Sequence, residues 1–106
     1  MAKIYRVGLA GCGRMGATID DEVIARRPQD KHSYLPYSHA AAVVACERTE
    51  LVAVSDPLGE KAEAIGQRYS AGNTYDDYRE MIRREELDIL CIATRPGPHA
   101  EIAVFA

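Results

Sequence analysis

The stretch Val7-Gly8-Leu9-Ala10-Gly11-Cys12-Gly13-Arg14-Met15-Gly16 decides the fold of this chain. A strand predicted over residues 4–10 leads directly into Gly-x-Gly-x-x-Gly, and a helix is expected to follow. In that context Gly11 permits the tight turn, Gly13 lets a phosphate approach the backbone, and Gly16 lets the helix pack closely against the strand. The stretch therefore predicts a dinucleotide site at the start of the helix, where unpaired N–H groups face the phosphates.

The composition limits the classes of protein to which the chain can belong. It has 106 residues, a formal net charge of −3, 47% hydrophobic residues and 27% charged residues, values that are ordinary for one globular domain. No basic stripe argues for nucleic acid, and no apolar run approaches the ~20 residues that cross a membrane. We therefore expect neither nucleic acid nor a membrane as a partner.

The three cysteines, Cys12, Cys46 and Cys91, are widely spaced and form no Cys-x-x-Cys pair. This pattern predicts neither a disulfide framework nor a zinc site. Cys46 falls in an Ala/Val helix and Cys91 in an apolar strand, so both are expected to be small buried hydrophobic residues. For Cys12, inside the glycine loop, a special thiol role is an alternative. Free thiols and an N-terminus without a signal peptide favour a cytoplasmic location.

Predicted strands alternate with predicted helices along the chain. The strands cover residues 4–10, 51–55, 73–75 and 88–93, and the helices begin near Arg14, after the N-cap Ser38, near Leu58, at Asp77 and near Pro98. This alternation implies right-handed crossovers and a parallel sheet. The apolar fourth strand is typical of a strand covered on both faces. The predicted fold is α/β, a Rossmann-type doubly wound parallel sheet that is incomplete, with about four strands.

Residues 1–106 are therefore interpreted as one dinucleotide-binding domain that is truncated at its C-terminal end. The outer edge of its fourth strand would then be bare, and such an edge invites pairing with another chain. Asp56 follows Gly11 by 45 positions, whereas an acid roughly 20 residues after the glycines is usual. The excess is interpreted as an insertion at about residues 17–37. It is either a surface elaboration or a flap over the cofactor or substrate.

Four further residues are candidates for cofactor contact. Asp56 ends the second strand, where its carboxylate can bind both ribose hydroxyls and would repel a 2′-phosphate; no Arg or Lys follows at once, which favours NAD over NADP. Its alternative role is to cap the next helix. Thr94 and Arg95 follow the fourth strand, across the crevice from the glycine loop, and a simple Pro/Gly turn is the alternative there. His99 opens the last helix, as a cofactor contact, a proton donor or a cap.

The candidate cofactor-binding set is completed by the loop residues Gly11, Cys12, Gly13, Arg14, Met15 and Gly16. No Ser/His/Asp or Cys/His arrangement indicates a nucleophile, so no catalytic residue is assigned. His32 and His39 lack a third ligand, so no metal site is expected.

Four stretches together resemble the N-terminal part of the Gfo/Idh/MocA oxidoreductases, a family named for glucose–fructose oxidoreductase and inositol dehydrogenase. They are residues 11–16, 51–56, 75–82, and 87–94 with 99–103 after them. Their order matches nearly the whole chain apart from the insertion. Two features depart from the family pattern: the loop reads Thr94-Arg95-Pro96, where a proline usually follows the threonine directly, and the insertion after Gly16 is longer than usual.

The resemblance implies a nicotinamide enzyme that oxidises or reduces a hydroxyl or carbonyl group, usually on a sugar or cyclitol. NAD is the expected cofactor and NADP is possible. The resemblance also implies a second domain that binds the small-molecule substrate and forms homo-oligomers, and a catalytic lysine in a Glu-Lys-Pro motif. Neither is in these 106 residues, so they are expected to be inactive alone.

Other functions remain open at this point. A non-catalytic dinucleotide sensor would keep the glycine loop and Asp56 and would need no lysine. Residues 13–16 also resemble the loop of dihydrodipicolinate reductases, although Asp56 and the segment around His99 fit that family less well. A methyltransferase that uses S-adenosylmethionine is a weaker alternative, because its loop usually has Gly-x-Gly-x-Gly spacing.

Overall fold

The computed structural model describes residues 3–18, 21, 38–94 and 96–106. Within them, four parallel strands pair in the order β3-β2-β1-β4. The strands are β1 (Tyr5–Ala10), β2 (Thr49–Ser55), β3 (Asn73–Tyr75) and β4 (Ile89–Ile92). A π-helical turn (Arg14–Thr18) follows β1, and the helices are α1 (His39–Ala45), α2 (Gly59–Arg68), α3 (Tyr78–Arg84) and α4 (Pro96–Phe105). The predicted Rossmann-type α/β fold is confirmed.

Helices cover both faces of the sheet and divide its core in two. One cluster of buried residues joins β1 and β2 to α1 and α2, and comprises Val7, Leu9, Cys12, Ala17, Ala40, Leu51, Val54, Ala62 and Ile65. The other joins the sheet to α3 and α4, and comprises Ala10, Val52, Ala53, Met81 and Ile102. Burial of each of the larger side chains stabilises the folded state by roughly 1.5–3 kcal/mol, and this holds the layers together. Among the residues that the structure describes, no helix is long and apolar enough to cross a bilayer.

Two predicted helix starts have the side-chain caps that the sequence indicated. The Ser38 hydroxyl accepts a hydrogen bond from the Ala41 N–H at 3.1 Å, and the Asp77 carboxylate accepts one from the Arg79 N–H at 2.9 Å. Caps of this kind stabilise a helix by about 1 kcal/mol. They fix where α1 and α3 begin, at the end of the sheet that carries the glycine loop.

The segment after the glycine loop differs from the continuous helix that was predicted. The described part is a five-residue π-helical turn, and residues 19–20 and 22–37, most of the predicted insertion, lie outside the described residues. The flap hypothesis therefore stays a prediction. The described start of the insertion is tied to the far end of α2: the Tyr69 hydroxyl donates to the Ala17 carbonyl at 2.9 Å, and Arg68 pairs with Asp21 at 2.7 Å.

The remaining boundaries shift by one to three residues. The second strand begins at Thr49 rather than at residue 51, the last helix begins at Pro96 rather than near Pro98, and the fourth strand is shorter at each end by one residue. On the inner side of α3, Met81 is buried, and Tyr78 and Ile82 are half-buried.

The prediction that Cys46 is buried is wrong. Cys46 caps the C-terminus of α1 and is exposed, as are the last two residues of the helix, Val44 and Ala45. A hydrogen bond from the backbone of Arg48 lowers the pKa of this thiol. Cys91 is only half-buried, and burial raises the pKa of its thiol.

The expectation that β4 is covered on both faces is also only partly met. Ile89 is 41% exposed and the rest of the strand is half-buried. Among the described residues, no strand pairs with the outer edge of β4. The opposite edge, β3, is three residues long, and Asn73 and Thr74 there are polar and exposed, which is a usual protection of sheet edges. The apolar β4 edge lacks that protection.

We predict that the 106-residue chain associates with itself through the β4 edge. The apparent mass measured by light scattering should rise with concentration, and Ile89→Lys should reduce that rise because an edge lysine opposes strand pairing. Ile4→Lys is the matched control, since Ile4 is 48% exposed and lies outside β4. A monomer at high concentration would contradict the prediction.

Candidate functional site

The glycine loop lies at the carboxyl end of β1, and two of its glycines are required by the protein's own packing. Gly11 has a φ of +104°, and a Cβ there would lie 2.7 Å from the Ala93 carbonyl oxygen. A Cβ on Gly16 would collide with the Gly11 carbonyl oxygen. A side chain at Gly11 would press against the residues that follow β4, and one at Gly16 would force the π-helical turn away from the end of β1.

Gly13 differs from the other two glycines of the motif, Gly11 and Gly16. A Cβ built on it would meet no other atom within 4 Å, so nothing in the described protein requires a glycine here. The space over Gly13 opens into a cavity instead. Gly13 therefore fits the role that the sequence predicted, which is to let a ligand approach the backbone.

Asp56 joins the end of β2 to the glycine loop. Its Oδ2 accepts a hydrogen bond from the Cys12 N–H at 3.0 Å, and its Oδ1 accepts one from the Leu58 N–H at 2.9 Å. Beside it, the Gly11 N–H donates to the Ser55 carbonyl oxygen at 2.9 Å. Two amides of the predicted cradle are therefore already bonded within the protein. Because an ionised carboxylate offers about four acceptor positions, Asp56 retains roughly two for a ligand's hydroxyl groups.

Cys12 has a structural position and not a reactive one. It is 2% exposed, and its Sγ lies 3.5 Å from the Ser55 carbonyl oxygen, to which it donates. Burial, reinforced by the charge of Asp56, raises the pKa of its thiol to about 12. The thiol is neutral at physiological pH, so a role as a nucleophile is not supported.

Two cavities meet at the carboxyl ends of the strands, where open α/β sheets bind their ligands. The first, of about 780 Å³, opens over Gly13 and is also lined by Asp56, His39 and Lys61. The second, of about 460 Å³, lies toward α3 and α4 and is lined by Asp56, Tyr78, Arg79 and Ile102, among others. Gly11, Asp56, Pro57, Thr94 and Pro98 line both cavities. The structure thus brings Thr94 to the place that the sequence predicted.

Arg79, on the wall of the second cavity, is held in place by several contacts. Its Nη2 lies 2.8 Å from Glu101 Oε1, its Nη1 lies 3.6 Å from Asp77 Oδ1, and its guanidinium lies 4.7 Å from the centre of the Tyr78 ring. These contacts connect α3 with α4. The arginine is thereby fixed as a wall of the cavity, with its charge already compensated.

Among the lining residues that were not sequence candidates are His39, Lys61, Tyr78 and Arg79. A signal was present for three of them, because Lys61 is in the first turn after β2, and Tyr78 and Arg79 begin the helix after β3. His39 gave no such signal, because the insertion separates it from the glycine loop in sequence.

Other candidates are not brought to the site or cannot be placed. His99 is exposed on α4 and lines neither cavity. Arg95 lies outside the described residues, as do the side chains of Arg14 and Met15. Across the described ranges, no group of three His, Cys, Asp or Glu side chains could hold a metal ion.

Comparison with protein families decides the assignment. The model of the Gfo/Idh/MocA oxidoreductase family, described as an NAD-binding Rossmann fold, matches residues 5–106. The chain belongs to this family. The comparison with curated proteins gave no match.

Solved structures share the fold. A myo-inositol 2-dehydrogenase from Lactobacillus plantarum is 22% identical with a TM-score of 0.73, over 98% of this chain and 25% of that one. The WlbA dehydrogenase from Bordetella pertussis, solved with NADH and UDP-GlcNAcA, is 25% identical with a TM-score of 0.68, over 96% of this chain and 25% of that one. A scyllo-inositol dehydrogenase from Lactobacillus casei, solved with NAD(H) and scyllo-inositol, is 15% identical with a TM-score of 0.67, over 96% of this chain and 25% of that one. The chain spans about a quarter of the length of these proteins.

We predict that alanine substitutions separate the structural glycines from the ligand glycine. Gly13→Ala should leave the unfolding free energy within about 1 kcal/mol of wild type but weaken NAD binding, measured by calorimetry, by about tenfold or more, because the Cβ occupies the approach of the phosphates. Gly16→Ala should instead destabilise the fold by about 1–3 kcal/mol.

Gly72→Ala is the control, because a Cβ there meets only the Val52 carbonyl oxygen at an ordinary 3.7 Å. It should keep both stability and NAD affinity. Unchanged NAD affinity in Gly13→Ala would contradict the assigned role of Gly13.

Proposed function

We propose that this chain is the NAD-binding part of a dehydrogenase that transfers hydride between a nicotinamide cofactor and a hydroxyl or carbonyl group of a sugar or cyclitol. The family membership supports the cofactor. The inositol dehydrogenases among the similar structures and the sugar-nucleotide complex of the Bordetella enzyme support the substrate class. The observation that carries the proposal is the open space over Gly13 beside the Asp56 carboxylate.

The residues of this chain bind and orient the cofactor. The diphosphate lies over Gly13, where the backbone can be approached and the N–H groups of the following turn are directed at it. Asp56 accepts hydrogen bonds from the adenosine ribose on the acceptor positions that Cys12 and Leu58 leave, and Thr94 contacts the cofactor from the β4 side. When bound, the nicotinamide ring supplies the hydride chemistry. These contacts hold the cofactor in one orientation across the crevice.

The position of Asp56 favours NAD over NADP. A 2′-phosphate would bring negative charge next to a carboxylate that is fixed by two amide hydrogen bonds and cannot easily turn away. Two like charges about 4 Å apart repel by about 1 kcal/mol even in water. NADP is therefore the weaker ligand in this proposal.

We also propose that the reaction needs more than these residues. In this proposal, a catalytic lysine and a domain that binds the substrate and forms a homo-oligomer belong to other parts of the protein, and residues 1–106 are inactive alone. The small-molecule substrate then meets the nicotinamide at the mouth of the crevice, with the protein in the cytoplasm.

The proposed activity can be measured directly. We expect the full-length protein to reduce NAD in the presence of a member of a panel of inositol isomers and aldoses, and the 106-residue chain to bind NAD without turnover. NADH formation is followed by absorbance, and binding by calorimetry. NAD binding without turnover of any substrate by the full-length protein would favour a dinucleotide sensor, and absence of NAD binding would reject both functions.

We predict that Asp56→Asn changes the cofactor preference. NAD affinity should fall by about tenfold, the effect of losing a charge-assisted hydrogen bond, while NADP affinity should hold or rise because the repulsion of the 2′-phosphate is removed. The ratio of the two affinities is the readout, since it is insensitive to a partial loss of stability. Glu63→Gln, an exposed residue of α2, is the charge-matched control and should leave the ratio unchanged. Equal losses for both cofactors would contradict the assignment.

A further inference from the structure

The first cavity has two side chains on its wall that can carry positive charge, and they come from different helices. Lys61 is in the first turn of α2, and His39 is the first residue of α1. Both line the cavity that opens over Gly13. Neither was expected there from the sequence, and no role has been given to either residue above.

We propose that Lys61 and His39 form a side-chain arm of the diphosphate site, which contacts the phosphate oxygens from the α1–α2 side of the crevice while the glycine loop contacts them through its backbone. This inference rests on the proposed function, since it assumes that a dinucleotide occupies the crevice. It adds two binding residues and a source of charge that the glycine motif does not supply.

The positive charge of Lys61 reaches the glycine loop. Against the effects of burial and of Asp56, it lowers the pKa of Cys12, which is the residue between the first two glycines of the loop. An anion over Gly13 would lie beside the same loop and would be attracted by the same charge. In the part of the chain that the structure describes, no carboxylate forms an ion pair with Lys61. Arg48 and Arg83 are likewise unpaired there, but neither lines one of the two cavities.

The position of His39 is fixed by the start of its helix. The residue before it, Ser38, is fully buried and caps α1 through the Ala41 N–H, and the next residue, Ala40, is buried in the core. His39 itself is half-buried between these anchors. The backbone of His39 is therefore fixed before any ligand binds, which reduces the ordering cost of a contact there.

The charge balance of the cavity also favours an anion. Asp56 contributes one negative charge at the ribose end, and a diphosphate adds about two more. The backbone N–H groups of the turn supply only partial positive charge. A cationic lysine, with a histidine as a further donor, offsets the remaining charge where the phosphates lie, and charge-assisted contacts to phosphate are stronger than neutral ones.

Titrations with a series of ligands test the arm, with Lys61→Gln, His39→Ala and the control Lys3→Gln in the 106-residue chain. Lys3 pairs with Asp88 and lies just before β1, at the opposite end of the sheet from the cavity. Its substitution changes the net charge by the same amount as Lys61→Gln but leaves the cavity unchanged. Binding of NAD, ADP, adenosine and NADP is measured by calorimetry. We expect Lys61→Gln to weaken NAD and ADP by about three- to tenfold and His39→Ala by about two- to fivefold, which is the range for partly exposed charged contacts, and adenosine to be unaffected.

The other outcomes are distinct. Unchanged affinity of both variants for NAD and ADP, with the wild type binding normally, would overturn this inference and leave the proposed function intact. Selective loss of NADP in Lys61→Gln, with NAD and ADP unchanged, would also overturn it and would place Lys61 at the 2′ position of the ribose. If wild-type protein binds neither NAD nor ADP, the proposed function fails and this inference fails with it.

Discussion

The hydrogen bond from the Cys12 N–H to the Asp56 carboxylate, 3.0 Å long, connects the two loops on which the site depends. It joins the carboxyl end of β2 to the glycine loop after β1, and the bond from Gly11 to the Ser55 carbonyl reinforces it. Because both strands are buried and paired in parallel, their ends cannot shift relative to each other. The distance between the space over Gly13 and the free acceptor positions of Asp56 is therefore set by the sheet, before any ligand binds, which reduces the ordering cost of binding.

This connection also explains why three glycines in one motif have unequal roles. Gly11 and Gly16 hold the loop close to β1 and β4, since a side chain at either would collide with backbone. Substitution of either glycine by a larger residue would displace the backbone amides of the loop and, with them, the hydrogen bond between Cys12 and Asp56. Gly13 is the exception, since among the described residues no atom beyond its chain neighbours would meet a Cβ there within 4 Å. The fold thus requires two of the glycines to shape the loop, and in the proposed function the third leaves room for the ligand.

The sequence predicted the parts of the molecule that are governed by short-range patterns. The alternation of strands and helices, the caps at Ser38 and Asp77, and the positions of Asp56 and Thr94 follow from apolar periodicity, turn residues and the rule that strand ends share one edge of the sheet. It was less informative where contacts depend on distant segments. Cys46 looks buried within an Ala/Val run, but whether the end of a helix is covered by other elements is a tertiary property. His39 is brought to the cavity by the packing of α1 on the sheet, which no spacing in the sequence reveals.

The insertion can be long without disturbing the crevice, because both of its described flanks are held independently. Ala17 and Asp21 are tied to the last turn of α2 through Tyr69 and Arg68, and Ser38 is tied to α1 through its cap. Loop length adds only slowly to the entropic cost of closing a loop, about 0.6 kcal/mol per doubling. Extra residues between these anchors therefore cost little stability, and Gly16 and His39 keep their positions on the same face of the sheet. The proposed phosphate site takes its backbone from one side of the predicted insertion and its side chains from the other, and these anchors keep the two sides in place.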